Sequence, residues 1–236
     1  ASLLSATLVY GQGSPNVTLL DNVDDYSTYN DCWGYTAPDG REYALLGVTT
    51  GLSIIDITNA GSATEVAFFP GATSSWRDIK TYQHYAYVVN ESSGGMQIID
   101  LSNLPASATL ANTYTGFSTS HNIYIETDRG IMYAEGTFSV PVRTLDLSDP
   151  VNPVQVSTFG IECHDIYARD GIVYVSEGTS GSIGIYDLTT ATSPSLVARI
   201  PLPNPGYVHN AWLSDDGRYL MTTEETAGKP VRYIDI

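Results

Sequence analysis

The sequence is poor in positive charge and has no long apolar segment. Its 236 residues include 10 Lys and Arg against 26 Asp and Glu, a formal net charge of −16. Such a surface repels nucleic-acid phosphates and anionic membranes, so we expect no nucleic-acid partner but cations, neutral glycans or proteins. A merely solvating surface would carry the same charge. No run reaches the roughly 18 apolar residues of a membrane-spanning helix, so no transmembrane segment is predicted.

Cysteine and the common catalytic motifs are also scarce. The chain contains only Cys32 and Cys163, which cannot form a disulfide framework. Both precede repeat openings in units that are not adjacent, so we expect them farther apart than the roughly 7 Å that a disulfide tolerates between Cα atoms. The sequence therefore predicts two free, buried thiols. It has no G-x-S-x-G, H-E-x-x-H or P-loop motif, which favours a non-enzymatic protein.

A repeat with a period in the forties organises the chain. The openings are Trp33-Gly34, Arg77-Asp78, His121-Asn122, His164-Asp165 and His209-Asn210, and the closings are Asp56, Asp100, Asp146, Asp187 and Asp235. Between them lie Tyr-rich runs, Asp-Gly turns and small-residue loops, and no amphipathic helix is evident. About four strand-like runs per unit at this period are typical of propeller blades. We predict an all-β fold, a β-propeller of four-stranded antiparallel blades with five repeats.

One domain spanning 1–236 accommodates these repeats. We place an N-terminal segment at 1–31 and the repeats at about 32–70, 76–115, 120–159, 163–201 and 208–236. The fifth repeat reaches only a third strand. Residues 15–20 resemble the outer strands of the other repeats, and residues 6–10 are a further predicted strand, so the N-terminal segment could complete the fifth blade and close the ring. Alternatively, the five repeats belong to a larger propeller.

Two groups of aspartates have structural explanations. Each closing Asp is expected to accept turn N–H groups at the end of its strand. Asp21, Asp24, Asp25 and Asp31 could bind Ca²⁺ through oxygen ligands, but their spacing matches no known calcium loop, and we favour a solvated connection.

The repeat openings supply the candidate site. If the first strand of each blade lines the central channel, the opening residues form a ring there, made of Trp33, Arg77, His121, His164 and His209. The neighbouring positions carry Gly34, Asp78, Asn122, Asp165 and Asn210. Three of the four histidines fall in this column. They could form a structural plug, hydrogen-bonded to neighbouring blades, or a ligand or metal site made by His121, His164 and His209.

A column of acids strengthens the second hypothesis. Near the end of each second strand stand Glu91, Glu135, Glu177 and Glu224, which we predict to lie at the channel mouth with the histidines. Imidazole with carboxylate suits Zn²⁺, Mn²⁺ or Fe²⁺, and carboxylates alone suit Ca²⁺. A divalent metal is therefore the expected cofactor, if there is one.

Several segments resemble the choice-of-anchor B family, which is related to LVIVD-repeat proteins. The similarity is carried by NDCWGYTAPDGREYALLGVTTGLSIIDIT (30–58), SSWRDIKTYQHYAYVVNESSGGMQIIDLS (74–102), SHNIYI (120–125) and YVHNAWLSDDGRYLMTTEE (207–225). The resemblance implies a secreted or surface-attached bacterial β-propeller, held at the cell envelope by C-terminal anchors that differ among members. Family members usually continue with further repeats and an anchor region, whereas this sequence stops at Ile236.

Three functions are compatible with these features. We favour an extracellular or cell-surface module that binds a protein or glycan, or assembles with one. The first alternative is a metal-dependent hydrolase or lyase that uses His121, His164, His209, Glu135 and Glu177. The second is a structural subunit of a surface filament or layer, self-assembled through exposed outer strands.

Overall fold

The computed structural model describes residues 16–137 and 140–236, and the regular elements there are all β-strands. Blade 1 contains β1 (Tyr29–Thr36), β2 (Glu42–Val48), β3 (Gly51–Asp56) and β4 (Thr64–Pro70), and blade 2 contains β5 (Arg77–Tyr82), β6 (Tyr85–Asn90), β7 (Met96–Asp100) and β8 (Thr109–Tyr114). Blade 3 contains β9 (Ile123–Glu126), β10 (Ile131–Thr137), β11 (Val140–Asp146) and β12 (Val154–Phe159), and blade 4 contains β13 (Asp165–Arg169), β14 (Ile172–Ser176), β15 (Ser182–Asp187) and β16 (Ser195–Pro201). Blade 5 contains β17 (Val208–Leu213), β18 (Tyr219–Glu224) and β19 (Arg232–Asp235).

Each blade is an antiparallel sheet of sequence-consecutive strands. Blades 1 to 4 have four strands, and blade 5 has three in the part of the chain described. The predicted all-β propeller is confirmed. Because no helix occurs between 16 and 137 or between 140 and 236, none there could cross a membrane.

The hydrophobic core lies between neighbouring blades. In the first interface, Leu45 and Ile54 of blade 1 pack against Ile79 and Val88 of blade 2, and three similar clusters follow along the chain. The inner strands meet in succession, with β1 on β5, β5 on β9, β9 on β13 and β13 on β17. No comparable packing joins β17 to β1 among the described residues. Each blade is therefore stabilised by its immediate neighbours, as in other repeat proteins.

Turn chemistry agrees with the sequence. Asp170 and Gly171 connect β13 to β14 with φ values of 55° and 80°, and positive φ at both central residues is what a type I′ hairpin requires. Four of the five closing aspartates accept turn N–H groups as predicted: Asp56 from Thr58 at 2.9 Å, Asp100 from Ser102 at 2.8 Å, Asp146 from Ser148 at 2.7 Å and Asp187 from Thr189 at 2.8 Å. The fifth, Asp235, pairs with Arg218.

The N-terminal expectation is wrong where it can be checked. Residues 16–20 form no strand, and Val17 and Leu19 are about three-quarters exposed. The segment that follows is attached to blade 1, since the Asp21 carboxylate accepts the N–H of Ala63 at 2.7 Å. That attachment holds the chain beside blade 1 instead of on β19. The strand predicted at residues 6–10 lies outside the described residues.

The thiol prediction is half right. Both cysteines are free, and Cys163 is buried, but Cys32 is exposed. Cys32 lies on β1, the inner strand of the first blade, and no blade in the described part of the chain covers its other side.

Candidate functional site

The strand register corrects the first repeat opening. Trp33 pairs with Leu45 on β2, whereas the residue at the matching place in blade 2 is Lys80, which pairs with Tyr87. The irregularity of β1 lies between Tyr29 and Cys32, and from Cys32 onwards the register of β1 matches that of β5 from Ile79 onwards. Trp33 therefore lies in register with Lys80 and not with Arg77.

The three predicted histidines do come together. The ring centroids of His121 and His164 are 4.5 Å apart, and those of His164 and His209 are 4.2 Å apart. Each histidine lies at or just before the start of its inner strand, and consecutive inner strands pack side by side. The repeat thus places equivalent residues of blades 3, 4 and 5 in one row, which we call the histidine row.

Hydrogen bonds orient the row. His121 Nδ1 lies 2.7 Å from Glu91 Oε1, and the Nε2 atoms of His121 and His164 are 2.9 Å apart. His164 Nδ1 lies 3.0 Å from the backbone oxygen of His209. The indole of Trp76 stacks on His121 at 4.6 Å and donates to the His121 backbone oxygen. These contacts fix the ring planes across the blade boundaries.

Burial affects the protonation of the central histidine. His164 is 8% exposed, and burial, assisted by the neighbouring His121 and His209, lowers its pKa to about 4. At neutral pH His164 is therefore an uncharged imidazole, the form that binds a metal ion.

Arg77 does not join this row, contrary to expectation. Its side chain is buried. Nε donates to the backbone oxygen of Val48 at 2.7 Å, and Nη2 donates to the backbone oxygens of Thr49 and Ala72. Desolvation lowers its pKa. The guanidinium holds the backbone of blade 1 and is not presented to the channel.

The second opening residues mostly join neighbouring blades. Asp78 accepts the N–H of Ile123 at 2.7 Å, and Asn122 donates to the backbone oxygen of His164 at 3.2 Å. Asp31, which the sequence suggested as a calcium ligand, accepts the N–H of Ile79 at 2.9 Å in the same manner as Asp78. Asn210, in blade 5, instead accepts the Thr223 hydroxyl at 2.6 Å.

Two carboxyls of this set have raised pKa values. Burial, with a contribution from the negative charge of Asp78, raises the pKa of Asp165 to about 6 and that of Asp31 to about 6. Among the described residues, Asp21, Asp24, Asp25 and Asp31 form no cluster that could share an ion. The calcium alternative has no support there.

The four predicted glutamates are not one column. Counted from the residue opposite each closing aspartate, Glu135 is four residues along its strand, Glu177 and Glu224 are five, and Glu91 is six. Successive residues of a strand face opposite sides, so Glu177 and Glu224 face the other side from Glu135 and Glu91, and Glu91 lies two residues farther along than Glu135. The loops before the closing aspartates differ in length, so these differences in strand position cannot be read from the sequence spacing.

Glu177, Glu224 and Glu135 are therefore not at the mouth, which corrects the prediction. Glu177 forms a two-point ion pair with Arg199, with its shorter contact at 2.7 Å, and Glu224 pairs with Arg232 at 2.7 Å. Glu135 is fully buried, and neither carboxylate oxygen has a hydrogen-bond partner in the described structure. Burial raises the pKa of Glu135 well above its ordinary value.

The mouth acids are Glu91 and a residue that the sequence reasoning missed, Glu225. Glu225 occupies the same strand position as Glu91, six residues after the partner of the closing aspartate, and its carboxylate lies 3.9 Å from His209 Nε2. His164, His209 and Glu225 each offer a ligand atom, and these atoms lie within 4.8 Å of one another. Glu225 can be identified from the strand register of β18, but not from the number of residues that separate it from the closing aspartate.

Two cavities meet at the histidine row. The mouth pocket, about 360 Å³, is lined by Glu91, His121, Cys163, His164, Glu225 and two further residues. The channel cavity, about 700 Å³, is lined by all three tryptophans of the chain, Trp33, Trp76 and Trp212, together with Tyr124, Asn122, Asp165 and others. His164 borders both.

The comparisons with known proteins agree with this architecture. The LVIVD repeat profile matches residues 75–116, which cover blade 2 and its flanks. No match was found among curated protein sequences. The LVIVD profile therefore describes one repeat of this chain, and not the whole of it.

Solved structures show the same fold at low sequence identity. A functionally unknown protein from Desulfotomaculum acetoxidans aligns with a TM-score of 0.65 and 14% identity over 93% of this chain and 74% of its own. A proposed 6-phosphogluconolactonase from Bacteroides uniformis gives 0.67 and 16% over 86% and 66%. A chain of the nidogen/laminin complex gives 0.57 and 10% over 88% and 74%. The chain is thus a β-propeller that contains an LVIVD repeat.

Proposed function

We propose that this protein is a glycan-binding module that acts outside the bacterial cell, and that its ligand lies in the channel cavity. The observation that carries the proposal is that all three tryptophans line this one cavity of about 700 Å³. Ligand pockets commonly have this size, with aromatic walls and a few oriented polar groups.

The side chains suit a neutral sugar. The C–H face of a pyranose ring packs on an indole, and the hydroxyls need donors and acceptors such as Asn122 and Asn210. Trp33 and Trp212 are 38% and 57% exposed, so each has indole surface available to a ligand. Asp78 and Asp165 in the wall disfavour an anionic ligand, and Lys80 is already 2.5 Å from Asp78.

The extracellular location is supported by the resemblance to the choice-of-anchor B family. The large negative charge is compatible with it, since a high net charge keeps an exported protein soluble. Subcellular fractionation of the native host, with an antibody against the protein, tests this part; recovery in the cytoplasm alone would contradict it.

Isothermal titration with cellohexaose, xylohexaose and chitohexaose tests glycan binding. We expect one of them to bind and Trp212→Ala to weaken that binding at least about 10-fold, which corresponds to about 1.4 kcal/mol. Tyr233→Ala is the matched control, because Tyr233 is an aromatic residue of blade 5 that is 73% exposed and does not line the cavity. Equal affinity in wild type and Trp212→Ala, or no binding of any of the three, would contradict the proposal.

A further inference from the structure

We infer that the histidine row and Glu225 form a binding site for a divalent first-row transition-metal ion, with Zn²⁺ as the simplest candidate. The site lies where the mouth pocket meets the channel cavity, since His164 lines both and His209 lines the channel cavity. Its proposed ligands are His164, His209 and Glu225, whose ligand atoms lie within 4.8 Å of one another, and His121, which joins them through His164 because their Nε2 atoms are 2.9 Å apart. Glu91 is a positioning residue for His121.

The hydrogen bonds of His121 and His164 fix where their ring protons lie. A backbone oxygen only accepts hydrogen bonds, so His164 Nδ1, 3.0 Å from the oxygen of His209, carries a proton. Likewise, His121 Nδ1 donates to the Glu91 carboxylate at 2.7 Å. In neutral imidazoles each Nε2 is then left with a lone pair, and these two atoms are 2.9 Å apart. Two lone pairs at that distance repel unless a cation, either a metal ion or an additional proton, is shared between them.

The rings of His121 and His164 are oriented as metal-binding imidazoles are. Metal-binding histidines almost always donate their other ring N–H to a carboxylate or a backbone oxygen, which holds the ring in place and makes the ligand nitrogen more basic. His121 has the carboxylate of Glu91 in this role, and His164 has the backbone oxygen of His209. A structural plug would need only one hydrogen bond per ring and would not require both Nε2 atoms to face each other.

The distances between the ligand atoms suit a single metal ion. With metal–nitrogen bonds of about 2.05 Å, two ligands at a right angle are about 2.9 Å apart and two tetrahedral ligands about 3.3 Å apart. The Nε2 atoms of His121 and His164 are 2.9 Å apart, and the ligand atoms of His164, His209 and Glu225 lie within 4.8 Å. Glu225 has a side chain that is 68% exposed, so it can move the remaining distance towards an ion without disturbing the core.

The donor set decides the kind of ion. Imidazole nitrogens suit zinc, copper, iron and nickel, whereas Ca²⁺ takes oxygen ligands. Three imidazoles and one carboxylate therefore select a transition metal. The pocket of about 360 Å³ beside the row leaves room for water or a small oxygen ligand on the same ion.

Titration calorimetry with ZnCl₂ on chelator-treated full chain tests the site, with Co²⁺ absorption as a second readout of nitrogen ligands. We expect one Zn²⁺ per chain, at least 100-fold weaker binding in His164→Ala, and about 10- to 100-fold weaker binding in Glu91→Gln. His84→Ala is the matched control, because His84 is the fourth histidine of the chain and lies near Asp100, outside the mouth pocket.

The variant Glu225→Gln separates loss of metal binding from loss of folding, because this exposed side chain contributes little to the core. We expect a folded variant with at least 10-fold weaker binding. The inference is overturned if wild type binds no Zn²⁺, because the shared cation is then a proton. It is also overturned if His164→Ala and Glu225→Gln bind as wild type does, or if His84→Ala loses the ion equally.

Discussion

Glu224 and Glu225 are consecutive residues with opposite surroundings. The Glu224 side chain is fully buried and paired with Arg232 at 2.7 Å. Burial alone would raise its pKa, but the N–H of Gly206 and the Arg232 guanidinium hold that pKa below its ordinary value. Glu225 is 68% exposed and faces His209 across 3.9 Å with no arginine beside it. One step along the strand therefore separates an acid that stabilises its own blade from an acid that is available at the mouth.

The same contrast recurs in other blades. Glu177 takes the place of Glu224 and is paired with Arg199, while Glu91 takes the place of Glu225 and contacts His121. Glu135, one step in the other direction, is buried without any partner in the described structure. We expect a large loss of stability when the ion pair of Glu177 is broken, a gain when Glu135 is replaced, and nearly no change when Glu91 is replaced.

Arg199→Met should have the largest effect, because it leaves the Glu177 charge buried and without a counter-ion. We expect a loss of about 3 kcal/mol in the free energy of unfolding, measured by guanidinium chloride denaturation. The double variant Glu177→Met/Arg199→Met removes both charges and should return to within about 1 kcal/mol of wild type. A double variant as unstable as the single one would show that packing, and not the charge, is responsible.

Glu135→Met should stabilise the protein by about 1–2 kcal/mol at pH 7, because it removes a buried carboxyl group without hydrogen-bond partners. The matched control is Glu126→Met in the same blade. Glu126 is also buried but accepts from Arg129, Tyr133 and the N–H of Gly171, so its replacement should destabilise. Equal losses in both variants, in thermal unfolding, would show that Glu135 is satisfied by groups such as bound water.

Asp31→Asn should have a smaller and pH-dependent effect. Since the folded pKa is about 6 and the ordinary value is 3.8, the folded protein binds a proton more tightly than the unfolded chain between these values. The contribution of Asp31 to stability is therefore present below pH 3.8 and is lost as pH rises through 6.

In Asp31→Asn the amide does not ionise, so stability is not lost as pH rises, and its oxygen still accepts the N–H of Ile79. Allowing for its partial exposure, we expect a gain of about 1 kcal/mol at pH 8 and none near pH 3.5, measured by urea denaturation at both pH values. Asn122 occupies the equivalent position in blade 3, so an amide fits this site. A gain that is the same at both pH values would contradict the assignment.

Glu91→Gln should change stability least, by under about 0.5 kcal/mol, because the side chain is 51% exposed. If the comparison between the two positions is right, this variant melts as wild type does while its metal affinity falls. A large loss of stability in thermal unfolding would place Glu91 with the structural acids.

Much of the fold could be predicted from the sequence. The repeat period, the Asp-Gly turns and the closing aspartates depend on local geometry, and all three are present in the structure. The histidine row was also predictable, because equivalent residues of neighbouring blades are brought side by side by the repeat itself. The acids were not, since a one-residue offset reverses the side of the strand and loops of unequal length hide that offset.

The sequence by itself determined the blades and the identity of the residues at their inner strands, because β-strands, turns and repeats are encoded over short distances. The tertiary structure alone decided which acids are neutralised within a blade and which face the histidines. It also showed that Arg77 binds backbone oxygens and that Trp33 lies in register with Lys80. These outcomes depend on strand register and on contacts between blades, where residues 30 to 45 positions apart meet.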